Sequence, residues 1–326
     1  MKTIVQKYGG KLVADKEKMR KIAQIIASTY DEGNRVIVTI SAMGDTTNIL
    51  QEKVSEFSVN PNKREVDVVL SVGEQISIGL LSMILNDMGY KAISLTGWQA
   101  GIQTDSNYTN SNILNINTKI IDEKLDNGYI VIVAGFQGID KNMNITTLGR
   151  GGSDTTAICL AIAMKAEQCE IYKDTRCIFT ADPKIIKNAK KLNSIGYDQM
   201  LELSKMGAKV LATKAIEYAR DNNLKIVVKA VDTNEIGTII SSGDSTTNYP
   251  MVSCTKKESS INKDIITFLK NKEFNTKNKV YSVIEKIIEE ENIRDYILNN
   301  NKDRVSIIID KNKSLDILLK VHDRLI

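Results

Sequence analysis

The chain has 326 residues, 42% of them hydrophobic and 26% charged, proportions ordinary for a globular protein and incompatible with a disordered one. Its 44 basic and 40 acidic residues leave a net charge of +4, spread along the sequence without the basic footprint of a nucleic-acid binder. The four cysteines, Cys159, Cys169, Cys177 and Cys254, show neither zinc nor disulfide spacing, and His322 is the only histidine, which excludes His-ligated metals and His-dependent nucleophilic triads.

Short β-branched runs alternate with longer helical patterns up to about residue 240. In chain order the pattern predicts a strand at 3–6, a helix at 16–31, a strand at 35–40, a helix at 46–57, a strand at 66–70 and a helix at 75–88. A strand at 92–95, a helix at 118–126, a strand at 129–134, a helix at 153–165 and a strand at 170–173 follow. Helices at 197–203 and 209–222 and a strand at 225–231 complete the series. This rhythm predicts an α/β fold, an open and mostly parallel sheet sandwiched by helices. Beyond Pro250 the sequence holds neither Gly nor Pro, and strands at 265–269 and 305–309 alternate with helices at 280–291 and 314–325, predicting a small α+β module. The expected domains are therefore 1–245 and 246–326. Met1–Val5 is too short for a signal peptide and no run approaches 18 apolar residues, so the expectation is a cytoplasmic protein with no membrane or nucleic-acid partner.

The segment Gly149-Arg150-Gly151-Gly152-Ser153-Asp154 runs directly into the apolar helical pattern from Ala157 to Met164. Small residues let backbone approach a ligand, and the first amides of a helix have no partner within it, so the segment reads as an anion site. Arg150 adds a planar fork suited to a carboxylate or phosphate. Asp154 is suited to fixing a cation, orienting a lysine or capping the helix. Lys7 follows the first strand and precedes Gly9 and Gly10, placing an ammonium and close amides where a polyphosphate fits. No P-loop and no dinucleotide fingerprint is present. The loops after several strands should converge on one cleft beyond the carboxyl ends of the sheet.

Seven collinear motifs sharpen this reading: Lys7-Tyr8-Gly9-Gly10, Ser41-Ala42-Met43-Gly44-Asp45-Thr46-Thr47, Gly73-Glu74-Gln75-Ile76-Ser77, Leu95-Thr96-Gly97-Trp98-Gln99-Ala100-Gly101, Gly135-Phe136-Gln137-Gly138, Thr147 to Asp154, and Thr180-Ala181-Asp182-Pro183. Together they closely resemble the bacterial aspartate kinases, over about residues 1–240. The resemblance implies the amino-acid kinase fold and phosphorylation of the β-carboxylate of L-aspartate by ATP with Mg2+. By the same resemblance Lys7 neutralises the transferring phosphoryl group, Asp154 organises the lysines around it, and Gly9, Gly10, Ser41 and Gly44 line the phosphate path. Arg150 would clamp the α-carboxylate and Glu74 pair the ammonium group. Thr46, Phe136, Gly151 and Ser153 match substrate-pocket positions, and Asp174, Phe179, Asp182, Lys184 and Lys209 match the nucleotide side. No protein-held metal site is implied.

Four departures lie on the phosphate and nucleotide side. Lys11-Leu12 replaces a Thr-Ser pair, and Lys173-Asp174-Thr175-Arg176-Cys177-Ile178-Phe179 replaces Thr-Asp-Val-Asp-Gly-Val-Tyr. Lys184 stands for an arginine, and Ala212-Thr213 for His-Pro. Two alternatives follow, a divergent paralogue acting on another acidic amino acid and a catalytically weak regulatory partner. The C-terminal module resembles a shortened, degenerate ACT domain, which implies a homodimer formed through it.

Overall fold

A computed structural model describes residues 1–174, 177–207, 210–232, 236–243, 251–256, 262–269, 279–301 and 304–325. The chain forms two compact units, Met1–Arg176 with Lys214–Ser241, and Cys177–Thr213 with Ser242–Ile326.

The first unit lays down β1 (Thr3–Tyr8), α1 (Lys16–Asp31), β2 (Arg35–Ile40), α2 (Thr46–Phe57), α3 (Lys63–Leu70), α4 (Val72–Asp87) and β3 (Ala92–Leu95). Next come β4 (Ile102–Thr104), β5 (Ile113–Ile116), α5 (Lys119–Asp126), β6 (Ile130–Ala134), β7 (Gln137–Ile139), β8 (Ile145–Thr147), α6 (Gly152–Ala163) and β9 (Gln168–Lys173). The second unit takes β10 (Ser194–Gly196) and α7 (Tyr197–Lys205), after which α8 (Thr213–Asp221), β11 (Ile226–Ala230) and β12 (Ile236–Ser241) follow.

All six side chains of β1 are buried, the signature of a strand covered on both faces. It is central to a sheet ordered β3-β6-β2-β1-β9-β11-β12, parallel throughout except for the β11–β12 pair. Crossovers run from β1 toward β2, β6 and β3 on one side and toward β9 and β11 on the other. The seam between β1 and β9 is therefore the point where strand order reverses, the place where open α/β sheets bind ligands. Helix α1 begins at Asp15, whose side chain accepts from the Lys18 amide, and buries Met19, Ile22, Ala23 and Ile26 at helical spacing.

The expected strand at 66–70 is instead the end of α3. Its β-branched run favours a strand locally, but Asn62 caps the helix by accepting from the Arg64 amide, and the i, i+4 pair Val66 and Leu70 packs with Val54. Tertiary packing overrides propensity here. Ser71 alone separates α3 from α4, and Glu74, read as a loop residue, lies in the first turn of α4. Lys63–Asp87 is the one helical run among the described residues long and apolar enough to cross a membrane; half of its most apolar window is buried inside the protein. A second sheet, ordered β5-β4-β7-β8, was absent from the sequence reading, because strands of three or four residues carry too few alternations to register.

In the second unit β13 (Met251–Lys256), β14 (Lys263–Leu269), α9 (Lys279–Glu290), β15 (Tyr296–Asn300), β16 (Arg304–Asp310) and α10 (Lys311–Leu325) form an antiparallel sheet ordered β13-β14-β16-β15 with its helices packed against it. The sequence reading found two of these four strands. Val252, Ile266, Phe268, Ile284, Ile307, Ile309 and Val321 share one core, joined by Ala181 and Ile186. The second unit is thus assembled from two separated stretches of chain.

His322 in α10 is 1% exposed; among the described residues neither ring nitrogen is hydrogen-bonded, and Nδ1 lies 3.8 Å from Asp323 Oδ1. Burial lowers its pKa below the usual histidine value. A depressed folded pKa means stability that is present above about pH 6.5 and lost as pH falls through and below it. Equilibrium urea unfolding at pH 7 and pH 5 should show the second unit weakening on acidification, and His322→Leu should reduce that loss; an unchanged pH dependence in the variant would refute the assignment.

Candidate functional site

The loop after β1, stitched to the loop after β2, and the start of α6 meet around Lys7. The backbone after β1 turns through Gly9 into a short 3-10 helix, Gly10–Val13. It is stitched to the loop after β2: the Ser41 amide donates to the Tyr8 carbonyl (3.1 Å) and the Gly44 amide to the Gly10 carbonyl (2.9 Å). Gly10 is obligatory in this packing, since a Cβ there would stand 2.7 Å from the Ala42 carbonyl oxygen. The result is a close approach of two loops, with Gly9, Gly10 and Gly44 leaving the backbone bare beside Ser41.

Lys7 Nζ lies 2.6 Å from Asp154 Oδ1, with both side chains less than a tenth exposed. Asp154 sits in the first turn of α6, so the negative end of this pair also faces a helix N-terminus. The chain enters α6 through Gly151 at φ +77, a left-handed conformation that favours glycine, and a Cβ on Gly152 would meet Leu148 and Phe136 at 2.8 Å. Phe136 itself adopts φ +71, uncommon for an aromatic residue. It is held there because its amide donates to Thr156 Oγ1 (3.0 Å) and its carbonyl accepts from the Leu148 amide (2.9 Å). Ser153 is buried beside it in α6. Arg150, at the apex of the turn, is exposed, and no hydrogen bond or ion pair engages its guanidinium among the described residues.

Glu74 is 3% exposed. Its Oε1 accepts from the Ala42 amide (3.1 Å), while Oε2 is buried without a partner among the described residues. Desolvation pushes its pKa up to about 7 against the pull of that amide. A buried carboxylate oxygen with no donor awaits one from a ligand. Thr46 opens α2 close by: its hydroxyl donates to the Met43 carbonyl (2.6 Å), and Gly73, next to Glu74, packs toward it.

Asp174 follows β9 on the exposed rim, where Lys11 Nζ approaches it to 4.0 Å, a solvent-screened pair of little energetic weight. Phe179, Asp182 and Lys184 belong to the second unit, in which Asp182 Oδ1 accepts from the Lys184 amide in a local turn (2.9 Å). Lys209 lies outside the described residues.

One supporting residue escaped the sequence reading. Asp67, fully buried in α3, accepts from the Thr109 amide, the Thr147 amide and the Thr147 hydroxyl. It ties the 105–112 loop to the end of β8, directly before the Arg150 turn. The available signal was an aspartate inside an otherwise apolar run, which needs partners if buried.

Residues 2–230 match the Amino acid kinase family. The chain is 50% identical over 240 residues to an aspartokinase of Bacillus sp. (strain MGA3), covering 74% of this chain and 58% of that protein. It is 47% identical to aspartokinase 2 of Bacillus subtilis, over 74% of this chain and 59% of that one. The chain thus spans less than two thirds of the length of these relatives. Among solved structures, an aspartate kinase from Synechocystis is 32% identical with a TM-score of 0.67, covering 97% of this chain and 54% of that chain. Aspartokinase III of E. coli, crystallised with aspartate and ADP, shares the fold at a TM-score of 0.69 and 22% identity, over 98% and 83% of the two chains.

The raised pKa of Glu74 has a consequence for stability. A folded pKa above the unfolded value contributes stability fully present below about pH 4.5 and lost as pH rises through about 7. Above that, the native state carries a desolvated charge. Glu74→Gln should therefore raise stability at pH 8 by roughly 2–3 kcal/mol, with little change at pH 4.5. Urea denaturation at the two pH values tests this, and equal effects at both would show that the burial cost is not expressed.

Proposed function

The chain belongs to the amino acid kinase family, and on that premise we propose that it transfers the γ-phosphoryl group of ATP to the β-carboxylate of L-aspartate, giving 4-phospho-L-aspartate and ADP. The observation that carries this reading is the buried Lys7–Asp154 pair in the same unit as Glu74, a buried carboxylate with an orphan oxygen, and Arg150, an exposed guanidinium four residues before Asp154. An anion-binding and a cation-binding group in fixed places suit an amino acid. A lysine beside a glycine-rich loop suits a polyphosphate.

In this reading a β-carboxylate oxygen of aspartate attacks the γ-phosphorus, and the bond from that phosphorus to the β,γ-bridging oxygen breaks, leaving ADP. Such transfer needs positioning and charge neutralisation more than covalent help from the protein. Arg150 holds the α-carboxylate, ionised Glu74 accepts from the α-ammonium, and Thr46, Phe136, Gly151 and Ser153 shape the acceptor pocket. Lys7 neutralises charge on the transferring group, with Asp154 fixing the ammonium in place. Gly9, Gly10, Ser41 and Gly44 line the phosphate path, with the Ser41 and Gly44 amides committed to holding its two loops together. Among the described residues no three acidic, histidine or cysteine side chains converge, so Mg2+ would enter on the nucleotide phosphates rather than in a cage of protein ligands.

The second unit reads as an ACT-like module serving dimerisation, supported by its antiparallel four-stranded sheet and by the largely exposed β15 at its edge. The free thiols of Cys159, Cys169, Cys177 and Cys254 suit a reducing cytoplasm.

Incubation with ATP, Mg2+, L-aspartate and hydroxylamine should yield aspartyl hydroxamate and ADP. Arg150→Ala should raise KM for aspartate about 10- to 100-fold, the worth of a charge-assisted bidentate contact, with a smaller effect on kcat. Folded protein yielding neither product would defeat the proposal.

A further inference from the structure

Lys173 takes no part in the reaction as described, yet it stands inside the site. It closes β9, one position beyond Tyr172, which pairs with Tyr8 of β1, while Ile171 pairs with Lys7. Laterally paired residues share a face of a sheet and alternate residues repeat it. Lys173 therefore emerges on the face that carries Lys7, the face covered by α6. Its electrostatic neighbours are Asp154, Lys7 and Asp174.

The charges there do not balance. Asp154 is already engaged by Lys7 at 2.6 Å, and Asp174 lies on the exposed rim, where solvent screens its charge. Lys173 is partly buried, and among the described residues its ammonium makes no hydrogen bond or ion pair. Burial lowers its pKa from the usual lysine value, with Lys7 adding to the effect and Asp154 and Asp174 opposing it. Two ammonium groups thus share one buried carboxylate beside the glycine-rich loop after β1, and a partly desolvated cation short of a counter-charge gains most from an anionic ligand.

We propose that Lys173 is a second phosphate-holding cation of the donor site, joining Lys7 on the polyphosphate of the nucleoside triphosphate. The proposal rests on the phosphotransfer reading above and narrows it. Lys173 contacts non-bridging phosphate oxygens and contributes nothing to the nucleoside, so removing its charge weakens triphosphate binding selectively.

The test is calorimetric titration of the full chain with Mg-ATP and, separately, with adenosine. Lys173→Met keeps the length of the side chain without its charge, and Lys173→Arg keeps the charge. ATP binding should weaken about tenfold or more in Lys173→Met, the scale of one charged hydrogen bond, and stay within about threefold in Lys173→Arg, while adenosine affinity is unchanged in both. Equal ATP affinity in the wild type and Lys173→Met overturns the proposal, and so does tighter binding by the variant. A parallel loss of ATP and adenosine affinity also overturns it, since that marks a structural role, with thermal unfolding of each variant as the check on folding. If the wild type binds ATP with this pattern but makes no hydroxamate, the acceptor reading fails and Lys173 keeps its role. A wild type that binds no ATP removes both.

Discussion

The buried ion pair between Lys7 and Asp154 is the constraint around which the first unit is arranged. Two charges 2.6 Å apart and almost wholly removed from water are a poor source of net stability, because desolvation consumes much of their attraction. Their value is positional. Removing either partner would strand a buried charge, so β1 and the first turn of α6 must meet in one register. The close approach of Gly152 to Phe136 and Leu148 and the left-handed turn at Gly151 are what that register requires of the backbone. Phe136 in its unusual conformation is a further cost accepted at the same junction.

The opposite face of the same strands supplies the rigidity. Tyr8 and Tyr172 stack with ring centroids 4.6 Å apart, and Gln6 donates to both Thr29 and Glu170. Glu170 is closed off by Lys229 at 2.7 Å and by the Tyr172 hydroxyl at 3.1 Å. This network is satisfied, as buried polar groups must be. The face that carries Lys7 is not: among the described residues the Lys173 ammonium has no hydrogen bond or ion pair. Alternation along β1 and β9 thus separates a saturated structural face from a charged face left open to ligands, within the same few residues.

The long apolar runs of β1, β2 and β6 and the periodicity of α1 were legible in the sequence, because central parallel strands and amphipathic helices carry strong local signals. The loops that follow the strands were equally legible: Gly9, Gly10, Ser41, Gly44, Phe136 and Arg150 announce themselves by residue type at strand ends, whereas Glu74 was found by its motif although it lies in a helix. Residues 66–70 misled, since Val-Asp-Val-Val-Leu has the composition of a strand and only its cap and packing partners make it a helix. The short strands β4, β5, β7 and β8 left no periodic trace. Lys173 was visible as a departure from a pattern, but its importance lies in which face of β9 it occupies and in the engagement of Asp154 elsewhere, and neither is local information. Asp67 illustrates the same limit, with partners 42 and 80 residues away.

The two-part origin of the second unit bears on how the protein is made. Ala181 and Ile186 bury themselves with Val252, Ile284 and Ile307, residues that leave the ribosome only after β11 and β12 have been synthesised. Domains tend to fold as they emerge, N-terminal first, so the first unit has all of its strands in hand while the stretch from Cys177 to Thr213 still lacks most of its core. During that interval the growing chain carries, between β9 and β11, a stretch whose Ala181 and Ile186 still lack their partners. Vectorial synthesis therefore assigns this protein a window of exposure in the middle of its sequence rather than at its trailing end, and a chain cut short after β12 would remain in it permanently.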